Sequence, residues 1–357
     1  MSSTPRIVRE QWYVAAYSDE IGRVPFARTI CDELLVFHCT EDGGVVALTD
    51  HYGHRSHPLS KLQLIGDDRI ACGHHDFTHG QNETCAEALA RQRLPHSGPA
   101  ASYPVVEQDS FVWVWIGDRA DAEPAAIPRA PWLTEDGWTT ICGRETIPCR
   151  YALVIDNLMD LSHETYLHGG YSPEVAATPS TTQVDEAAGV VRVSRHMDDA
   201  ACPVFFTEST GLNDRITRWH DIEFSPPCLY RLHSRVAPLD RFPPDGYVCG
   251  YDAAADSGAF HTEIVYALTP ETARSVHDFW AVARDFATDD QWVSDFLYTS
   301  NHTAVMQDVV ALKLVEEVIA EEERGGIAFQ DLSINIDSGA LAARRLIARL
   351  AQNIERR

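Results

Sequence analysis

Basic residues are scarce in this chain: 29 lysines and arginines stand against 53 aspartates and glutamates, a formal net charge of -24. Without a basic face the chain is a poor partner for nucleic acid or for an anionic membrane surface. An acidic surface favours solubility and suits a partner that carries a basic docking patch. Apolar runs long enough to span a bilayer are missing as well. The opening segment, MSSTPRIVREQWYVAAYSDE, lacks the basic-then-apolar pattern of an export signal. None of the nine cysteines belongs to a CxxC pair, and their odd, scattered arrangement predicts reduced thiols in the cytoplasm rather than a disulfide framework. Internal repeats and low-complexity tracts are also absent.

What is present reads as an ordinary globular protein. The 357 residues are 45% apolar and 23% charged, enough for two domains or one large domain with an insertion. From Gln11 to about Gly117, short apolar runs such as Leu34–Phe37 and Val45–Leu48 alternate with Gly- and Asp-rich turns, and Phe111–Ile116 closes the region as a strongly β-prone strand. Pro124, Pro128 and Pro131 mark a linker. A helix is predicted over Tyr151–Leu167, followed by strands at Val190–Val193 and Tyr230–His233. The last third changes period. His277–Phe286, Trp292–Val315 and Leu341–Ile354 carry apolar residues at three- and four-residue spacing and predict helices. The segment Leu268–Thr272 predicts a helix start, with Thr269 as cap and Pro270 in the first turn. The expected fold class is α+β: a β domain over residues 1–130, then a catalytic domain over 131–357 that ends in helices.

The densest chemistry lies in DNLMDLSHETYLH, from Asp156 to His168. Two neutral imidazoles and one carboxylate on a single face suit Fe(II) and leave positions open for O2 and substrate. On an ideal helix, however, His163 and His168 point in different directions. Spacing alone leaves open an amphipathic helix with two incidental histidines.

This segment closely resembles the mononuclear-iron segment of the Rieske non-haem iron oxygenase family, in the pattern of its vanillate and dicamba O-demethylase oxygenases. The resemblance runs nearly the full chain. It includes Gln11–Ala16, Tyr103–Glu107 with Trp113 and Trp115, Leu268–Thr272 and the C-terminal helices. It implies a Rieske-like N-terminal domain and a helix-grip-type (START-like) catalytic domain with an antiparallel sheet. It also implies a mononuclear Fe(II) site held by His163, His168 and Asp308. Asp160 matches the family's bridge from a neighbouring subunit's Rieske histidine, and Asn157 matches a polar residue beside the iron. Tyr266 and Asn301 fall at substrate-pocket positions. A trimer or hexamer, of one kind of subunit or two, is the implied assembly.

The upstream motif departs from the family. A Rieske [2Fe-2S] cluster needs two thiolates and two imidazoles. His54, Cys72 and His75 match three of them, but Tyr52 stands where the first cysteine belongs. A phenol with a pKa of about 10 is no substitute for that thiolate, so a normal cluster is not expected. His57, His74 and Asp76 also depart from the family pattern. His54, Cys72 and His75 with His57 or Tyr52 offer ligands for a single zinc or iron; a domain kept only for packing is the other reading.

The resemblance therefore predicts an iron-dependent monooxygenase or demethylase acting with O2 on a small aromatic or carboxylated substrate. Its electrons would come from a Rieske-bearing partner subunit, a reductase or the substrate itself. A non-redox hydrolase or lyase using the same three ligands is an alternative, as is a non-catalytic partner subunit of a complete oxygenase. Arg231, His233 and Arg235 alternate along a predicted strand and offer either a basic face for a carboxylate or a solvated strand face.

Overall fold

The computed structural model describes residues 7–51, 58–65, 68–72, 77–79, 101–169, 173–241, 256, 258–327 and 334–355. The chain divides into two compact units, one built on Arg9–Ile127 and Thr269–Thr272, the other on Pro128–Leu268 and Ala273–Arg357.

The first unit is all β. Its strands are β1 (Gln11–Tyr17), β2 (Phe26–Ile30), β3 (Glu33–Cys39), β4 (Val45–Thr49), β5 (Gln63–Ile65), β6 (Arg69–Cys72), β7 (Phe77–His79), β8 (Ser102–Tyr103), β9 (Val105–Gln108) and β10 (Phe111–Ile116). They form three small sheets in the orders β1-β10-β9, β2-β3-β4-β8 and β5-β6-β7. β10 reads FVWVWI and every one of its residues is buried, so β-branched and aromatic side chains fill both of its faces.

The second unit is a seven-stranded antiparallel sheet in the order β11-β17-β16-β15-β14-β13-β12. The strands are β11 (Thr139–Ile147), β12 (Thr181–Asp185), β13 (Val190–Ala201), β14 (Arg215–Ser225), β15 (Leu229–Pro238), β16 (Phe260–Thr272) and β17 (Ser275–Arg284). Its helices are α1 (Tyr151–Met159), α2 (Glu164–Leu167), α3 (Glu174–Ala177), α4 (Val204–Thr210), α5 (Gln291–Arg324) and α6 (Ser338–Glu355). One apolar cluster joins α1, α5 and α6 to Ile222, Tyr230 and Leu232 of the sheet. A second packs Phe205 and Phe206 of α4 and Leu297 of α5 on Ile216 and Val236. The expected α+β class, with a β domain followed by an antiparallel sheet and C-terminal helices, is what forms.

Three local expectations are corrected. His277–Phe286 is not a helix: all of it up to Arg284 is β17. That strand is buried along nearly its whole length, so it lacks the in-out alternation that distinguishes a strand in sequence. Leu268–Thr272 starts no helix but ends β16, and the Thr269 hydroxyl donates to the Val14 carbonyl at 2.7 Å instead of capping. Tyr151–Leu167 is not one continuous helix, a break on which the site depends.

α5 is the long rod of the unit. Asp290 caps it by accepting hydrogen bonds from the Trp292 and Val293 amides. Its buried stripe runs Val293, Leu297, Asn301, Val305, Leu312, Glu316, Ile319, at helical spacing. Trp280 of β17 helps seat it, its ring 5.3 Å from that of Tyr298. Opposite that indole stands Gly143, where any Cβ would come within 2.2 Å of the Trp280 ring, so the close approach requires glycine.

Candidate metal centre

α1 stops because Asp160 leaves helical space, with φ -130 and ψ 102. Its carboxylate then caps a 3-10 turn over Leu161–His163, accepting from the Ser162 amide at 3.0 Å and the Ser162 hydroxyl at 2.6 Å. α2 follows at once and ends at His168, again extended, with φ -97 and ψ 99. On an unbroken helix, five residues would separate the two imidazoles by ~140°. The break brings their centroids to 5.2 Å.

Asp308 arrives from α5. Its Oδ1 lies 3.7 Å from His163 Nε2 and its Oδ2 lies 3.6 Å from His168 Nε2. Among the described residues, this is the set of three whose ligand atoms all fall within 4.8 Å of one another. The far nitrogens are committed elsewhere. His163 Nδ1 donates to the Asp160 carbonyl at 2.7 Å, and His168 Nδ1 donates to Gln307 Oε1 at 2.8 Å. Protons on both Nδ1 atoms leave both Nε2 lone pairs aimed at the carboxylate, the ordering seen around metal-ligating histidines. Asp308 Oδ1 is buried and has no hydrogen-bond partner, a costly state for a carboxylate oxygen unless a cation meets it. Burial by itself would lower the His168 pKa, but the Asp308 hydrogen bond and charge, with help from Gln307, outweigh it and raise the pKa. The donor set thus fits a divalent metal, and two imidazoles with one carboxylate fit Fe(II).

The other predicted residues are distributed unevenly. Asn157 sits on α1, half-buried. Asp160 adds to its cap a contact at 3.4 Å from Arg195. His54 and His75 lie outside the described residues, as do Tyr52, His57, His74 and Asp76; Cys72 ends β6, and its side chain is not described. Tyr266 packs beside Tyr230, ring to ring at 5.7 Å. Asn301 is 5% exposed, and its Nδ2 has no partner.

Arg231, His233 and Arg235 do share one strand face, but it is neither solvated nor open. Arg231 pairs with Glu223, His233 with Glu263 and Arg235 with Asp256, all buried or nearly so. Each is neutralised, which removes them as carboxylate binders. In the same network His261 is held between Asp285 (Nδ1 to Oδ2, 2.6 Å) and Asp256 (Nε2 to Oδ2, 3.2 Å). Burial opposes its protonation, yet the two carboxylates prevail and its pKa is raised. The raised folded pKa gives stability that is complete below the unfolded value near 6.5 and is lost as pH rises through the folded value. His261→Gln should therefore melt lower than the parent at pH 6, with the gap narrowing toward pH 9. A gap independent of pH in thermal melts would show that the imidazolium plays no part.

The opposite face carries residues that the sequence reading passed over. Cross-strand register aligns His220 with Ser234, and Ser234 with Thr262, in one row. Their strand neighbours Ile222, Leu232 and Ile264 pack in the helix-side core, so the row faces the helices. His220 is 1%, Ser234 4% and Thr262 0% exposed, and none of their side-chain polar atoms has a partner. The Tyr230 hydroxyl is likewise buried without a partner. Burial first, then the charge of Glu164 and less that of Asp308, pushes the Tyr230 pKa well up. A strand that mixes Ser, Thr and His with aliphatics gives little warning of such a row, because only cross-strand pairing assembles it.

A small-sheet β domain followed by a helix-backed antiparallel sheet with a His-His-Asp cluster defines the oxygenase component of a Rieske-type system. The comparisons agree. The Rieske [2Fe-2S] domain family matches residues 11–104, and the vanillate O-demethylase oxygenase C-terminal domain family matches residues 147–353. The chain belongs to the Rieske non-haem iron oxygenase family and is an oxidoreductase. It is 33% identical over 353 residues to the vanillate O-demethylase oxygenase subunit of a Pseudomonas species, covering 96% of this chain and 94% of that protein. It is 29% identical over 348 residues to the dicamba O-demethylase oxygenase component of Stenotrophomonas maltophilia, covering 97% and 98%. The crystal structure of dicamba monooxygenase bound to 3,6-dichlorosalicylic acid superposes with a TM-score of 0.85 at 29% identity, over 99% of this chain and all of the other. Among the described residues, no helix is long and apolar enough to cross a membrane.

Proposed function

We propose that the protein is a demethylating monooxygenase whose Fe(II) is held by His163 Nε2, His168 Nε2 and Asp308, and whose substrate is a small aromatic ring bearing a methoxy group. The observation that carries the reading is the Asp308 carboxylate, whose Oδ1 is buried and unpartnered and whose two oxygens each face one imidazole Nε2, that of His163 at Oδ1 and that of His168 at Oδ2. When bound, such an iron activates O2 for attack on a substrate methyl group. The two O-demethylase relatives support the reaction type.

The substrate's polar substituent is assigned to the row His220, Ser234 and Thr262; the Tyr230 hydroxyl and Asn301 Nδ2 are further buried groups without partners. Five buried groups without partners would together destabilise the fold unless a polar molecule meets them. Burial and the charges of Arg218 and Arg195 keep His220 well below its usual pKa, so it offers one N–H donor and one lone pair. Ser234→Ala should raise KM roughly 2- to 10-fold, the cost of one hydrogen bond, and leave metal content unchanged.

Electrons are proposed to enter from a Rieske-bearing partner subunit or a reductase, because Tyr52 replaces a cluster thiolate. The test is single-turnover assay of iron-loaded protein with a methoxybenzoate, O2 and a chemical reductant. Formaldehyde in step with O2 uptake is the expected result. Product formation under strict anaerobiosis, without reductant, would overturn the oxygenase reading. Stoichiometric inorganic sulfide with a broad visible band would overturn the reading of Tyr52.

A further inference from the structure

We propose that Gln307 is a positioning residue for His168, setting the tautomer and ring plane that present Nε2 to the metal; this rests on the reading of His163, His168 and Asp308 as the metal site. The two histidines are held by different means. His163 donates from Nδ1 to a main-chain carbonyl, that of Asp160. His168 donates from Nδ1 to a side chain, the Gln307 Oε1, at 2.8 Å.

A neutral imidazole carries one N–H, and the acceptor it meets decides which nitrogen bears the proton. With an acceptor at Nδ1, the lone pair stays on Nε2, 3.6 Å from Asp308 Oδ2. Without it, the tautomer protonated at Nε2 gains ground, and that nitrogen cannot ligate while it holds the proton. His168 leaves α2 in extended conformation and is 5% exposed.

Gln307 is placed to act on two fronts because it precedes Asp308 on α5. Consecutive helix positions diverge by ~100°. The helix therefore supplies one ligand through Asp308 and orients a second through Gln307. Gln307 also lines a pocket of about 240 Å³ between α4 and α5, with Phe205, Phe296, Thr299 and Thr303. Its side chain is half-buried at the edge of that space, which His168 also lines.

Two variants separate orientation from mere space-filling. Gln307→Met keeps the length and removes the acceptor; Gln307→Glu keeps an acceptor oxygen and adds charge. Co(II), titrated into metal-free protein and followed by its visible d–d absorption, is the probe. Gln307→Met is expected to bind about 10- to 100-fold more weakly than the parent, the usual cost of losing such a partner, and to melt somewhat lower, because the buried His168 Nδ1–H loses its acceptor. Gln307→Glu is expected to restore binding to at least the parental level. Parental affinity in Gln307→Met, or no rescue in Gln307→Glu, would overturn the positioning role. A parent protein that binds no Co(II) would instead remove the metal site itself.

Discussion

Asp308→Ala is expected to abolish tight metal binding and take turnover to background while leaving the fold at least as stable as before. The loss follows from the donor set. Two neutral imidazoles without the carboxylate give the dication two ligands and no charge compensation in a buried position. Losing a residue that only hydrogen-bonds to a ligand costs ~10- to 100-fold in affinity or activity, and losing a ligand should cost more. The stability half follows from Asp308 Oδ1, which is buried without a hydrogen-bond partner and so works against folding of the metal-free chain. Removing it trades function for stability, as at many strained sites. Metal analysis and thermal melting of the same metal-free and loaded samples check both halves. Full metal content in the variant would show that another group completes the site.

Glu316→Ala is expected to damage the fold severely at a position outside the centre. Glu316 accepts from the Arg150 backbone amide at 2.9 Å, from its Nε at 2.7 Å and from its Nη2 at 2.9 Å. Arg150 also reaches Glu323 at 2.9 Å. Glu316 and Arg150 are both buried, so truncating the carboxylate leaves the guanidinium with only the more exposed Glu323 and the amide at the start of α1 unsatisfied. Breaking such a pair costs about 3–5 kcal/mol. At roughly 2–4 °C per kcal/mol for a unit of this size, the melting temperature should fall by about 6–20 °C. Replacing both partners with Arg150→Met and Glu316→Leu should recover much of the loss, because no charge is then left buried alone. A double variant as unstable as the single would place the cost in backbone capping instead.

Much of the site was legible in sequence, but through different signals. The buried stripe of α5 is apolar except at Ser294, Asn301 and Glu316, with Asp308 in register between Val305 and Leu312; a polar residue interrupting an apolar stripe is a mark of function or of a buried pair. His163 and His168 were legible as residue types and illegible as geometry, since their convergence depends on Asp160 and Ser162 ending one helix and starting another. β17 was misread because both of its faces are buried. Arg231, His233 and Arg235 were correctly read as sharing a face, but their acidic partners come from other strands or, for Asp256, from outside the strands. Gln307, lying beside a ligand on a helix, carried no signal of its own.

Asp160 performs two separable jobs with one residue. Its peptide oxygen accepts the hydrogen bond from His163 Nδ1–H, while its carboxylate winds the turn that puts that oxygen in place. Substituting the side chain leaves the oxygen in the chain but frees the turn to unwind, so His163 swings for reasons unrelated to any electron transfer. A drop in turnover after Asp160→Ala is therefore informative about electron relay only when compared at equal iron occupancy, and Asp160→Asn, which keeps the cap, is the cleaner instrument for that question.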